Sequence, residues 1–157
     1  MTNEQIISKL IEKNITLSTA ESCTGGSLGK IITSVSGVSS IYGYGFITYA
    51  NEAKEKILGV SSETLEKYGA VSYETACEMA EGARRVSGSE IAVSVTGIAG
   101  PGGGTPEKPV GLVYIAIADK SGTEYRKLNL DGSRDEVRAE TCNRVFQLIA
   151  KRLEHFS

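Results

Sequence analysis

The stretch Ile91 to Val95 (IAVSV) has almost no polar face. A strand with one wet side alternates apolar and polar residues, so a short, nearly all-apolar run suits a central strand buried on both faces. Such a strand asks for helices above and below the sheet that contains it.

The rest of the chain supplies them. Thr2 with Gln5 forms a capping box before Ile6, Ile7, Leu10 and Ile11, which predicts a helix over the first dozen residues, ending near Asn14. Ile15 to Ala20 reads as a strand, and Thr24-Gly25-Gly26 leads into a helix (SLGKIITSVS) stopped by Gly37. Tyr44 to Tyr49 reads as a second strand, with Asn51 placed to cap a helix whose first turn holds Glu52, Ala53 and Lys54. Ser61 to Tyr68 predicts a short helix. Tyr73 to Val86 predicts a longer one, with Ala76, Met79, Ala80, Ala83 and Val86 facing inward and Gly88 closing it.

Gly97 to Gly111 holds six glycines and all three prolines and reads as a loop. Leu112 to Ala118 and Glu124 to Leu130 bracket Lys120-Ser121-Gly122 as a hairpin, the second strand being the more exposed. Ser133 and Glu136 then open a long final helix. With 157 residues, 40% of them apolar, the expectation is a single domain over 1–157. Its expected fold is a three-layer α/β/α sandwich around a five-stranded mixed, mostly parallel sheet with one antiparallel strand.

Composition narrows the chemistry. Lys and Arg total 17 against 19 Asp and Glu, with no block of either sign, so neither nucleic acid nor an anionic membrane is expected as partner and a small molecule is. The first residues lack the order of a signal peptide and the apolar runs are short, which makes the cytoplasm the expected address. Cys23, Cys77 and Cys142 are odd in number and far apart, against both a disulfide framework and a zinc site. His155, the only histidine, stands three places from the end of the sequence, so Ser-His-Asp and Cys-His catalysis lack their imidazole. The glycine loop matches neither common nucleotide-phosphate pattern.

In open α/β sheets ligands bind beyond the carboxyl ends of the parallel strands. Three polar clusters are expected there: Glu21-Ser22-Cys23-Thr24, Tyr49, and Thr96-Gly97. Ser22 precedes a turn whose backbone N–H groups suit an oxyanion hole. Lys54, near the positive end of a helix dipole, has reason for a lowered pKa. Tyr49 has a phenol able to share protons with serine and lysine, or to hold the lysine. Arg134 and Arg138, one turn apart, suit a phosphate. Each has a plainer reading as cap, exposed lysine, packed aromatic or surface ion pair, and the residues alone leave both open.

The segments TAESCTGG (Thr19 to Gly26), GFITYANEAK (Gly45 to Lys54), GAVS (Gly69 to Ser72) and TGIAGPGGGTPEKPVG (Thr96 to Gly111) together resemble the C-terminal domain of the CinA competence-damage-inducible family. The resemblance implies an anticodon-binding-like α/β/α fold and, as in stand-alone members, nicotinamide-nucleotide amidase activity: nicotinamide mononucleotide to nicotinic acid mononucleotide and ammonia. It implies Ser22, Tyr49 and Lys54 as the catalytic set, with no metal or organic cofactor and with a homodimer. Cys23, Thr24 and Gly25 are then expected at the oxyanion hole, Thr96 and Gly97 along the nicotinamide, and Arg134 at the phosphate. Where relatives often carry Gly-Asp-Arg, this chain has Gly132-Ser133-Arg134, so a role for that aspartate is not carried over. The larger family proteins add an N-terminal domain resembling molybdopterin-binding proteins, whose functions are not carried over either. The alternatives are a non-catalytic nucleotide-sensing or interaction domain, and a serine amidase for another carboxamide.

Overall fold

A computed structural model describes residues 1–156. The elements run α1 (Asn3–Glu12), β1 (Leu17–Glu21), α2 (Ser27–Thr33), a 3-10 turn (Val38–Ser40), β2 (Tyr42–Ile47), α3 (Asn51–Leu58), α4 (Ser62–Tyr68), α5 (Tyr73–Ser87), β3 (Ile91–Gly97), β4 (Leu112–Asp119), β5 (Gly122–Asn129) and α6 (Arg134–Leu153). One five-stranded sheet has the order β2-β1-β3-β4-β5. β1 lies parallel to both β2 and β3, while β4 is antiparallel to β3 and to β5. Only β4 therefore runs against the other four strands.

The IAVSV strand explains the layering. Ile91, Val93 and Val95 pack with residues of α1, α2 and α6, among them Ile7, Leu10, Leu28, Ile32 and Phe146. Ala92 points the other way, onto Met79 and Ala83 of α5, and Ser94 donates to the Ala76 carbonyl at 2.5 Å. One face is thus built from large side chains and the other mainly from alanines, which let α5 lie close over the strands. Gly82 continues that economy, since a Cβ there would stand 2.0 Å from the Leu58 carbonyl oxygen of α3.

Both capping boxes form, at Thr2–Gln5 and Ser133–Glu136. Other boundaries move. Asn14 takes a left-handed φ of 54° and Ile15 N–H closes back on the Leu10 carbonyl, so β1 starts at Leu17 instead of Ile15. α2 stops at Thr33 because the 3-10 turn follows, and β2 begins two residues earlier than the sequence pattern suggests. Asn51 is not the cap of α3. Ala50 holds the extended cap conformation, making Asn51 the first helical residue with no capping bond. Val86 also departs from expectation: Ala83 is the last α5 residue in the core, and Val86 is 47% exposed on the final turn. Among the described residues no helix is long and apolar enough to cross a membrane.

Candidate active site

β1, β2 and β3 run in one direction and end side by side, so the segments that follow them converge. They enclose a cleft of about 260 Å³ lined by Ser22, Cys23, Tyr49 and Lys54 on one side, Ala70 and Val71 on another, and Thr96 to Gly100, Gly102, Gly103 and Arg134 across the top. No cluster among the described residues has the acidic, cysteine or histidine ligands to hold a metal ion.

Lys54 lies inside, 1% exposed. Its Nζ stands 3.1 Å from Ser22 Oγ, 2.9 Å from the Thr48 carbonyl and 3.2 Å from the Tyr49 carbonyl. No carboxylate pairs with it among the described residues. Burial therefore holds its pKa below the ordinary lysine value, slightly offset by the nearby Cys23. The helix terminus invoked from sequence is not the principal cause. A neutral amine has two N–H bonds and one lone pair, and carbonyls can only accept. As an ammonium Lys54 donates to Ser22 Oγ as well; as a neutral amine with both N–H groups on the carbonyls it would turn its lone pair to the Ser22 hydroxyl.

Tyr49 is placed otherwise than the sequence suggests. Tyr49 is 58% exposed at the cleft mouth, and its phenol accepts from Arg134 Nη2 at 3.1 Å; the phenol makes no hydrogen bond to Ser22 or Lys54. The part of Tyr49 that holds the lysine is its main-chain carbonyl. Arg134 also donates through Nη1 to the Gly100 carbonyl at 2.7 Å. Arg138 is turned away from the cleft, its Nε donating to the Cys23 carbonyl at 2.8 Å.

The turn after Ser22 differs in detail as well. Gly25 N–H is taken by the Ser22 carbonyl at 3.0 Å, and Ser22 N–H by the Val95 carbonyl at 3.1 Å. Thr24 is buried, with its hydroxyl on Glu21 Oε1 at 2.6 Å. Neither Gly25 nor the Thr24 side chain is free for an oxyanion. The N–H groups of Cys23 and Thr24 have no acceptor in another of the described residues. Cys23 lines the cleft, and burial pushes its thiol up to about 11, so at neutral pH it stays a thiol beside the serine.

Glu21 stands in an expected polar cluster, but the sequence assigned it no role of its own. Gly26, the cap of α2, offers no side-chain acceptor. The buried Glu21 carboxylate takes that place, accepting from Gly26 N–H at 3.2 Å, Leu28 N–H at 2.9 Å and Gly29 N–H at 3.0 Å besides the Thr24 hydroxyl. A helix start at Gly26 without a capping side chain, with a glutamate five residues before it and next to the candidate nucleophile, was the available signal. Thr96 donates to the Ala70 carbonyl at 2.8 Å, joining two cleft walls. A Cβ on Gly97 would come within 2.8 Å of the Leu112 carbonyl oxygen, which is why that wall needs glycine. Thr48 Oγ1 is buried without a hydrogen-bond partner among the described residues.

The family described as CinA C-terminal domain matches residues 1–153. The chain belongs to that family. Among relatives of the CinA domain, an Acetivibrio thermocellus protein named as competence-damage inducible is 54% identical over 142 residues, covering 90% of this chain and 34% of its own length. This chain spans about a third of the length of the curated relatives it matches. Solved CinA-type structures are close in shape. The competence/damage inducible protein CihA from Agrobacterium tumefaciens has a TM-score of 0.92 at 42% identity, covering 95% of this chain and 92% of its own. The competence damage-inducible protein A from Klebsiella pneumoniae has a TM-score of 0.94 at 31% identity, with 100% of both chains covered. The five-stranded mixed sheet is therefore the fold of this family.

Proposed function

We propose that this CinA domain is an amidohydrolase that converts nicotinamide mononucleotide to nicotinic acid mononucleotide and ammonia. The observation that carries the reading is a buried lysine, without a carboxylate partner among the described residues, whose Nζ stands 3.1 Å from Ser22 Oγ; once neutral, such an amine can accept the Ser22 proton. Lys54 removes that proton as Ser22 Oγ adds to the carboxamide carbon. In this reading the Cys23 and Thr24 N–H groups receive the oxyanion. As the C–N bond breaks, the Lys54 ammonium returns its proton to the departing nitrogen, which leaves as ammonia. Water then attacks the Ser22 ester, giving one proton to Lys54; as the ester C–O bond breaks, the Lys54 ammonium passes that proton to Ser22 Oγ, the carboxylic acid departs, and serine and neutral lysine are both restored.

Thr96 and Gly97 flank the ring in this reading. The Tyr49–Arg134 pair stands at the mouth, where an anionic phosphate would draw the guanidinium from its present partners. A cytoplasmic homodimer acting on this small molecule, without nucleic acid, membrane or cofactor, belongs to the same proposal, and the mass in solution tests the dimer.

Ammonia release from the nucleotide by purified protein tests the chemistry. Ser22→Ala is expected to lose at least about 10³-fold in kcat/KM with an unchanged fold. Release by the variant equal to the native chain, or none by well-folded native protein, defeats the proposal, the latter favouring a sensing domain. Faster turnover of the nucleoside or of another carboxamide would reassign the substrate.

A further inference from the structure

The loop between β3 and β4 forms the upper cleft wall, yet its tip from Pro101 to Glu107 is exposed. Its base is closed by Ile98 N–H on the Leu112 carbonyl at 2.9 Å and Gly111 N–H on the Ile98 carbonyl at 2.8 Å. Thr105 N–H donates to the Lys108 carbonyl at 2.8 Å and Lys108 N–H to Thr105 Oγ1 at 3.0 Å, which makes the tip a self-contained turn. Among the described residues, two side-chain hydrogen bonds tie this loop to the rest of the chain. One is Arg134 to Gly100, on the α6 side. The other is Lys108 Nζ to the Tyr68 carbonyl at 2.5 Å, in the last turn of α4 on the opposite side. A cation is well placed there, against the negative end of a helix. Gly69 follows with φ +79°, and a Cβ on it would stand 3.0 Å from Lys108 Nζ, so the ammonium is packed onto the start of the Gly69–Ser72 wall. Ala70 and Val71 of that wall line the cleft.

We infer that Lys108 is a positioning residue, a latch that joins the glycine-rich wall to the wall after α4 and so sets the width of the cleft between them. It neither lines the cleft nor contacts Ser22 or Lys54, so its influence falls on how substrate is seated and not on proton transfer. This consequence for turnover rests on the amidase reading; the latch itself does not.

Lys108→Met removes the donor and keeps the stem, and Lys108→Arg restores a cation. Amide hydrogen exchange of residues 99–107, measured without substrate, is expected to quicken in Lys108→Met and return toward native in Lys108→Arg. With nicotinamide mononucleotide, KM should rise about fivefold or more in Lys108→Met, the factor that matches the net worth of one ordinary exposed hydrogen bond. kcat should stay within about twofold, the pattern of lost uniform binding, and Lys108→Arg should recover KM. Unchanged exchange in Lys108→Met overturns the latch. Faster exchange with unchanged KM, or a fall in kcat alone, overturns the positioning role. If native protein releases no ammonia the amidase reading falls, and the exchange comparison still decides the latch.

Discussion

A buried lysine without a carboxylate works against folding whenever it is charged, and Lys54 is such a residue. Its pKa is depressed in the folded chain, so the unfolded state binds more protons between the folded value and the ordinary value near 10.5. Stability should therefore rise with pH through that window and be lowest below it. Lys54→Met is expected to abolish ammonia release yet raise Tm at neutral pH, each kcal/mol recovered appearing as about 2–4 °C for a domain of this size. The native activity profile should climb with a pKa below that of a free lysine, as the amine loses its proton. A Tm lowered by Lys54→Met, or activity that falls as pH rises from 6 to 8, would contradict this account. Tyr49→Phe separates two roles of one residue. The carbonyl that anchors Lys54 survives the substitution, so kcat is expected to fall less than about tenfold while KM rises through loss of the Arg134 contact; a loss equal to that of Lys54→Met would assign the phenol to proton transfer. From sequence, the types Ser22, Tyr49 and Lys54 were legible, but which atom of Tyr49 faces the lysine depends on the backbone path from β2 into α3.

At the level of single elements, α2 is seven residues long and starts from a glycine, so little in its own sequence secures it. Glu21 does so from the preceding strand. Glu21→Gln would turn an amide N–H₂ toward at least one N–H donor and leave a buried clash, expected to cost about 1–3 kcal/mol. Thermal unfolding measures the loss, and a variant as stable as native protein would show that the carboxylate is not needed there. The helices with capping boxes were the most legible elements, because cap and acceptor are both local. α2 and α3 were less so: one is capped by a residue of another element and the other has no side-chain cap, a tertiary solution that no local pattern announces.

At the scale of the molecule, the sheet follows from one strand that tolerates no water, and the site follows from the sheet. Four strands share a direction, three of them adjacent, and the chemistry-bearing segments emerge where those three end. Convergence of the Glu21–Thr24, Tyr49 and Thr96–Gly97 segments was readable from order and spacing alone. The unequal faces were not, since the alanines of α5 look like ordinary helix formers until Ala20, Ala92, Ala116 and Ala118 are seen opposite them. Nor were the Lys108 and Arg134 ties readable, because both end on main-chain carbonyls that carry no residue signature.

The same anonymity protects the seat of Lys54. Two of the three contacts that orient Lys54 belong to peptide groups at positions 48 and 49, which every amino acid possesses. A substitution there that keeps the backbone path leaves both acceptors in place. A one-residue insertion or deletion between Thr48 and Lys54 would shift both anchors at once, so what this segment must keep for the amine is its length.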